Sequence, residues 1–354
     1  TLRSIPVQAS AIQKELDMTV WNGTVRQRSS GTTIGGSFAK SLLWEVSNTG
    51  EQTKEVFESS IKNLQETVIS SMVNNAVSVA SLGIDIMDRN LYERANDCRW
   101  WALTPLFRSY LQKNEMLGDK EFQELTTVLR YINSLYTVYT NLILFDKNGK
   151  VMSVSNDQAS SLVGRVLHDG WVKKTLEHIS TQSYAVSEYV ATSLYDDRPT
   201  YIYSAPIFGF DDPHQAIGGI GIVFDSQPQF YEMLNDILPS NEASQGSFAL
   251  FIDDEGRLIS STHPSESQTL VSLILSKGSA LKNGETLSLM ISFQGVYYAL
   301  GLAMSKGYRE YKSSTSLYHN NVIAAVFIPL GKVSATTIEE KKLSHNTHTQ
   351  LRLG

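Results

Sequence analysis

Seven apolar residues, Phe57, Ile61, Leu64, Val68, Met72, Ala76 and Val79, recur at spacings of four and three and draw one stripe along a helix. No Gly or Pro interrupts Glu51 to Leu82, so the pattern predicts an unbroken helix of about 45 Å. The stripe serves either to pack the helix on the domain that follows or to pair it with a second copy. Helical character continues from Asp85 to Leu111, where Thr104 and Pro105 have the order of a cap and a first turn. The adjacent Trp100 and Trp101 must point in different directions, so at least one is expected to pack under a neighbouring sheet. A further helix is predicted over Asp119 to Asn133. The first fifty residues are weakly patterned, and Gln27 to Gly36, rich in Ser, Thr and Gly, reads as a loop.

After Leu135 the period changes from near 3.6 to 2. Tyr139 to Phe145 reads as a strand, Asp146 to Gly149 (DKNG) as a hairpin turn and Lys150 to Ser155 as the return strand. Gly164 to His178 ends in a short helix. Strands follow over Tyr184 to Ala191, Thr200 to Phe208 and Ile217 to Asp225, and a helix over Gln227 to Leu238 stops at Pro239. The pattern then begins again. Ser247 to Ile252, the turn Asp253 to Gly256 (DDEG) and Arg257 to Ser261 superimpose Asp146 to Ser153 on Asp253 to Ser260. Gly295 to Met304 takes the part of Thr200 to Phe208, and Val322 to Leu330 that of the strand containing IGIVF. This internal repeat is the strongest organisational signal in the chain. It predicts an α+β protein: residues 1–50 an irregular segment, 51–134 a helical stalk and helices, 135–239 a first module, 240–333 a second, smaller one, and 334–354 a polar, disordered tail.

Composition narrows the function. The chain has 354 residues, is 42% apolar and carries a net charge of −6, enough for two or three ordinary domains. Clustered Lys and Arg are absent, which argues against a nucleic-acid partner. The single cysteine, Cys98, excludes an internal disulfide and a cysteine metal knuckle, and is expected to be a buried thiol. Thr67 to Ile84 carries no charge but holds four serines and Asn74-Asn75, which fits a buried or self-associating helix better than a membrane span. HExxH, CxxC, GxSxG and GxxxxGK[ST] patterns do not occur, and the seven histidines lack metal-ligand spacing, so neither an enzyme nor a cofactor is expected. Gly218, Gly219 and Gly221 lie in a strand, where they allow a close backbone approach.

The stretches Leu142 to Ser155 (LILFDKNGKVMSVS), Tyr201 to Gly209 (YIYSAPIFG) and Gly218 to Leu234 (GGIGIVFDSQPQFYEML), taken in order and with the repeat, resemble the double Cache family of bacterial sensors. The likeness runs from about Gly50 to Gly331. It implies a long N-terminal helical stalk followed by two PAS-like antiparallel-sheet modules in tandem, with a small polar ligand held by the first module, between Tyr139 and Asp225. The candidates carried by the matching stretches are Arg165, His168, Asp169 and Trp171, then Tyr189, Asp197, Tyr201, Tyr203 and Asp225. Amino-acid-sensing members carry an Arg two positions before a Trp-Tyr pair. Here Asp169 and Val172 stand at those places, and Ala191 stands where an ammonium-binding Asp would, so an α-amino acid is not supported.

Each candidate also has a plainer reading. Arg165 and Trp171 also read as a surface ion-pair partner and a core aromatic, Asp196-Asp197-Arg198 as a solvated hairpin tip, and Asp225 as a helix cap. Tyr201 and Tyr203 share one strand face. The expected function is that of a sensory ligand-binding module of a chemotaxis or signal-transduction protein, taking an organic acid, an amine or an amino-acid-like molecule. Its partners would be a signalling output domain or chemotaxis protein and a second copy bound through the stalk. The alternative is a scaffold that dimerises and binds nothing. A soluble cytoplasmic sensor is the expected setting, with the periplasmic part of a membrane receptor as the alternative.

Overall fold

The computed structural model describes residues 4–29, 36–113, 118–239, 245–265, 268–309 and 317–332. The chain divides into two compact units, Thr1–Met72 and Val73–Gly354. In the first unit α1 (Ser4–Ser29) lies against the early part of α2 (Gly36–Trp101). Gln13, buried, donates to Asp17 and to the Ser47 carbonyl, and the Ser47 hydroxyl donates to Asp17. At Gly50 a side chain would meet Gln13 and Leu16, so the two helices touch there through hydrogen. The expectation of an irregular segment over residues 1–50 is therefore corrected: the described part is helical, and of the expected loop Gln27 to Ser29 belongs to α1 while Gly36 opens α2. The reason is that α1 has no sustained apolar stripe. Its partner is another weakly amphipathic helix, so tertiary contact rather than periodicity sustains it. The polar tail lies outside the described residues.

The second unit begins within α2 and continues through α3 (Pro105–Gln112) and α4 (Asp119–Ser134). Strands β1 (Tyr139–Asp146) and β2 (Val151–Val154) precede α5 (Gly170–Glu177). The short β3 (Ala185–Val186), β4 (Val190–Thr192) and β5 (Arg198–Thr200) lead to β6 (Ile202–Phe208), β7 (Ala216–Phe224) and α6 (Ser226–Ile237). The second pass comprises β8 (Phe248–Asp253), β9 (Leu258–Ser261), α7 (Gln268–Gly278), β10 (Thr286–Phe293) and β11 (Val296–Met304). The paired β12 (Tyr308–Arg309) and β13 (Leu317–Tyr318) precede β14 (Val322–Lys332).

Two antiparallel five-stranded sheets result, ordered β2-β1-β7-β6-β3 and β10-β11-β14-β8-β9. Read from the opening hairpin, the second is β9-β8-β14-β11-β10, the same permutation as the first. The repeat holds at atomic detail. Asp146 accepts the amides of Asn148 and Lys150 at 2.8 and 2.9 Å, and Asp253 accepts those of Glu255 and Arg257 at 3.0 and 2.8 Å. Gly149 and Gly256 close these turns at φ 76° and 84°, a region that suits glycine. Each hairpin also shifts register at the equivalent place, between Leu144 and Phe145 and between Phe251 and Ile252.

Helix α2 underlies both modules. Gly301 of β11 meets the backbone of Ala76: a Cβ at Gly301 would stand 2.2 Å from the Ala76 carbonyl carbon. Gly83 sits beside Ile237, Phe251 and Ala324. Asp88, 1% exposed, accepts the Ser305 hydroxyl at 2.6 Å and the Asn320 amide at 2.5 Å. Further on, the buried Arg94 guanidinium lies 5.2 Å from the Tyr139 ring and 5.4 Å from Phe224. Trp101 packs edge-on against Tyr136 and Tyr139 while Trp100 stays exposed, as their adjacency requires. One stretch of α2 is long and apolar enough to cross a membrane, with a mean hydropathy of 1.3 and 22% of it buried.

Cys98 is fully buried, and its thiol donates to the Ala95 carbonyl at 3.3 Å. Burial pushes the thiol well above its usual range, which suppresses the reactive thiolate. The native protein is expected not to react with an aromatic disulfide reagent over minutes, and to release one equivalent of chromophore on unfolding in guanidinium. Rapid reaction without denaturant would show that α2 leaves its sheet.

Candidate functional site

One face of the first sheet carries α5. Glycines at 219 and 221 in β7 clear the space: a Cβ at Gly221 would stand 2.9 Å from Cη2 and Cζ3 of Trp171. The Trp171 ring therefore rests on the strand, edge-on to Phe145 at 5.7 Å and beside Ile202 in an apolar cluster. Thr175, one turn on, donates to the Trp171 carbonyl and lies 2.5 Å from the Ser204 hydroxyl, pinning the helix to β6. Trp171 is 5% exposed, yet its indole N–H has no hydrogen-bond partner. Leaving such a group buried and unmet costs about 1–3 kcal/mol, so a partner that arrives from outside is favoured.

A cavity of about 430 Å³ opens beside that ring. Asp169, Gly170 and Lys174 of the α5 start border it on one side, Ser187 and Glu188 on another, and Thr192 and Thr200 close it. The Ser187 hydroxyl accepts the Ile202 amide and the Ser187 amide donates to the Ile202 carbonyl, so the segment between β3 and β4 is stitched to the edge of β6. Asp169 occupies the cap position of α5 without capping it by its side chain. Cationic, anionic and hydroxyl groups thus surround an apolar floor, which suits a small polar molecule.

The sequence candidates separate into five places. Asp169 and Trp171 line this cavity. Arg165 and His168 are exposed on the segment before α5, outside its lining. Asp197 is at an exposed tip with φ 56°, and Arg198 there lies 3.9 Å from the Tyr195 ring. Asp225 stands at the start of α6, where it accepts the Tyr195 hydroxyl. Tyr201 and Tyr203 do share a face, but Ile202 and Ser204 between them hold the α5 side. The two tyrosines turn the other way, toward Tyr189, Phe230 and the second module. The Tyr203 hydroxyl meets that of Tyr318 at 2.7 Å. Lys174, Ser187, Glu188 and Thr200 escaped the sequence reading. The spacing of three between Trp171 and Lys174 is the one signal that places a missed residue beside a named one on a helix face.

No protein-family model matches the sequence, and no curated protein matches it. Among solved structures, an extracellular ligand-binding receptor from Desulfohalobium retbaense is 12% identical, with a TM-score of 0.46 over 70% of this chain and 40% of that one. The periplasmic domain of Vibrio cholerae LuxQ is 10% identical, with a TM-score of 0.40 over 72% of this chain and 99% of that one. The ligand-binding domain of the Pseudomonas aeruginosa amino-acid chemoreceptor PctC, solved with GABA, is 12% identical, with a TM-score of 0.37 over 75% of this chain and 99% of that one. What decides the architecture is internal: a long helix, then two sheets of one and the same strand order. The fold is α+β, a long helix followed by two antiparallel-sheet modules in tandem. The cavity beside Trp171 belongs to the first of these modules.

Proposed function

We propose that the chain is the sensory part of a signalling receptor and that it binds a small organic acid in the cavity beside Trp171. The observation that carries this reading is the buried, unpartnered indole N–H at the edge of a polar cavity. Lys174 supplies a cation for the carboxylate, Trp171 a donor, and the first turn of α5 a favourable dipole. Asp169 can accept from a hydroxyl or ammonium elsewhere on the ligand. A ligand that pulls α5 and the Ser187–Glu188 segment together would favour one closure of the first module over the other. Only such a difference in affinity can send a signal to an output domain. The exposed Val56, Phe57, Leu64, Val68 and Ile69 on α2 support a second, compatible role in pairing with another copy.

A thermal-shift screen against organic acids, amines and neutral metabolites tests the reading. An acid at a hundred times its dissociation constant is expected to add about 2.7 kcal/mol. Trp171→Phe keeps an aromatic ring and removes the donor, and should weaken that acid about tenfold or more. Gly221→Val, which pushes the ring out, should abolish the response. If no acid raises the melting temperature, or Trp171→Phe binds as well as the parent, the cavity is not the sensing site.

A further inference from the structure

The segment Val186–Glu188 that walls the first cavity has another hollow behind it, of about 220 Å³, on the opposite side toward the second module. At about 30 Å³ for each water of the liquid, it has room for roughly seven waters or a molecule of similar bulk. Tyr189, Tyr201 and Tyr318 supply its aromatic lining, and Glu188, Asp253 and Arg257 its charge. The Tyr189 and Tyr201 rings stand 5.0 Å apart at 49°, so the lining offers two differently inclined ring surfaces.

Arg257 is not free to take an anion. Its Nε meets Asp253 at 3.1 Å, one terminal nitrogen meets Glu188 at 3.1 Å, and the other donates to Glu255. Three carboxylates thus face one guanidinium. Among the described residues nothing hydrogen-bonds the hydroxyl of Tyr201, a residue only 7% exposed that borders the hollow. Burial, and then the negative charge of Asp253, push this phenol above its ordinary range, so it stays neutral and can accept. An excess of carboxylate, ring faces and a buried oxygen acceptor together match an ammonium group.

From this juxtaposition of Tyr201, Tyr189 and Glu188 at the junction of the two modules, we infer a second binding site, for a small primary ammonium. The ammonium donates to the Tyr201 hydroxyl and to Glu188, its remaining charge lies against the tyrosine rings, and a short alkyl chain fills the rest. The site shares the wall Val186–Glu188 with the proposed acid site but is otherwise distinct from it, since Tyr201 and Trp171 are on opposite faces of the sheet.

Calorimetric titration of the full chain with n-propylamine hydrochloride at neutral pH tests the inference, with propionate and tetramethylammonium as controls. The expected result is one saturable propylamine site. Tyr201→Phe should weaken it by about tenfold or more without lowering the melting temperature, because the lost hydroxyl has no partner among the described residues. Glu188→Gln should weaken it as well, and Trp171→Phe should leave it unchanged. Absence of saturable heat, unchanged affinity in Tyr201→Phe, or equal binding of tetramethylammonium, which has no N–H to donate, would each overturn it. Loss of the acid response in the thermal screen with propylamine binding intact would count against the first site alone.

Discussion

Gly301→Val is expected to destabilise the second unit by about 3 kcal/mol or more, lowering its melting temperature by roughly 10 °C. The cause is steric and local. A Cβ at Gly301 would lie 2.2 and 2.3 Å from the carbonyl carbon and oxygen of Ala76, and 2.3 Å from the amide nitrogen of Val77. These are backbone atoms in the middle of a helix and cannot step aside as a flexible side chain would. Either α2 lifts away from β11, exposing Ala76 and Ala80, or the strand buckles within a sheet that pairs it on both sides. Gly170→Ala is the matched control: nothing lies within 4 Å of its Cβ position, and a change within about 0.5 kcal/mol is expected. Differential scanning calorimetry reads both. A Gly301→Val protein that melts with the parent would mean that α2 does not seat on the second module through this glycine.

Asp88 should show the second large effect, and its sign depends on the substitution. Among the described residues Asp88 forms no ion pair, because Lys306 turns to Asp85 at 2.7 Å. One carboxylate oxygen accepts from Ser305 and Asn320, and the other is buried without a partner. Burial raises the carboxyl above its ordinary range, and the hydrogen bonds oppose that rise without cancelling it. A carboxyl whose pKa is higher folded than unfolded adds stability below the unfolded value, near pH 4, and loses it as pH rises through the folded value. Asp88→Asn keeps an acceptor for both donors and has no charge to bury. Relative to the parent it should therefore gain stability as pH rises above about 4 and level off once the folded carboxyl is ionised, in urea unfolding followed by circular dichroism. Asp88→Leu strands the Ser305 hydroxyl and the Asn320 amide, and should lose about 2–4 kcal/mol near pH 4, a deficit that narrows as pH rises and the parent's carboxyl ionises. If Asn and parent run parallel across the range, the carboxylate is not buried as described.

The sequence disclosed the repeat because both modules open with an Asp that folds back on its own turn amides and a Gly at positive φ, and such turns are written in adjacent residues. It disclosed the later part of the stalk because a stripe over Phe57 to Val79 has a clear period. Helix α1 stayed hidden because its order comes from Gln13, Ser47 and Gly50 across a helix pair, not from a stripe of its own. At the site, period-two alternation told that Tyr201 and Tyr203 share a face but not which face meets α5. That choice is made by Gly219 and Gly221 one strand away, which leave room for Trp171 on one side only. Ser187 and Glu188 sit in a break between two very short strands, where no pattern marks them. The contact of Ala76 with Gly301 joins small residues far apart in the chain, and nothing local distinguishes them from any other Ala and Gly.

Helix α2 meets the second module from Ala76 to Tyr92 and the first from Arg94 to Trp101, without a break between the two sets. An inserted residue anywhere between Asp88 and Arg94 would turn one set by about 100° relative to the other. Seven inserted residues would restore the angle to within about 20° but slide the sets apart by about 10 Å. In either case Asp88 or Arg94 would leave its partners. Over evolutionary time this stretch can change its letters but not its length, and homologous chains that keep both modules should align through it without a gap.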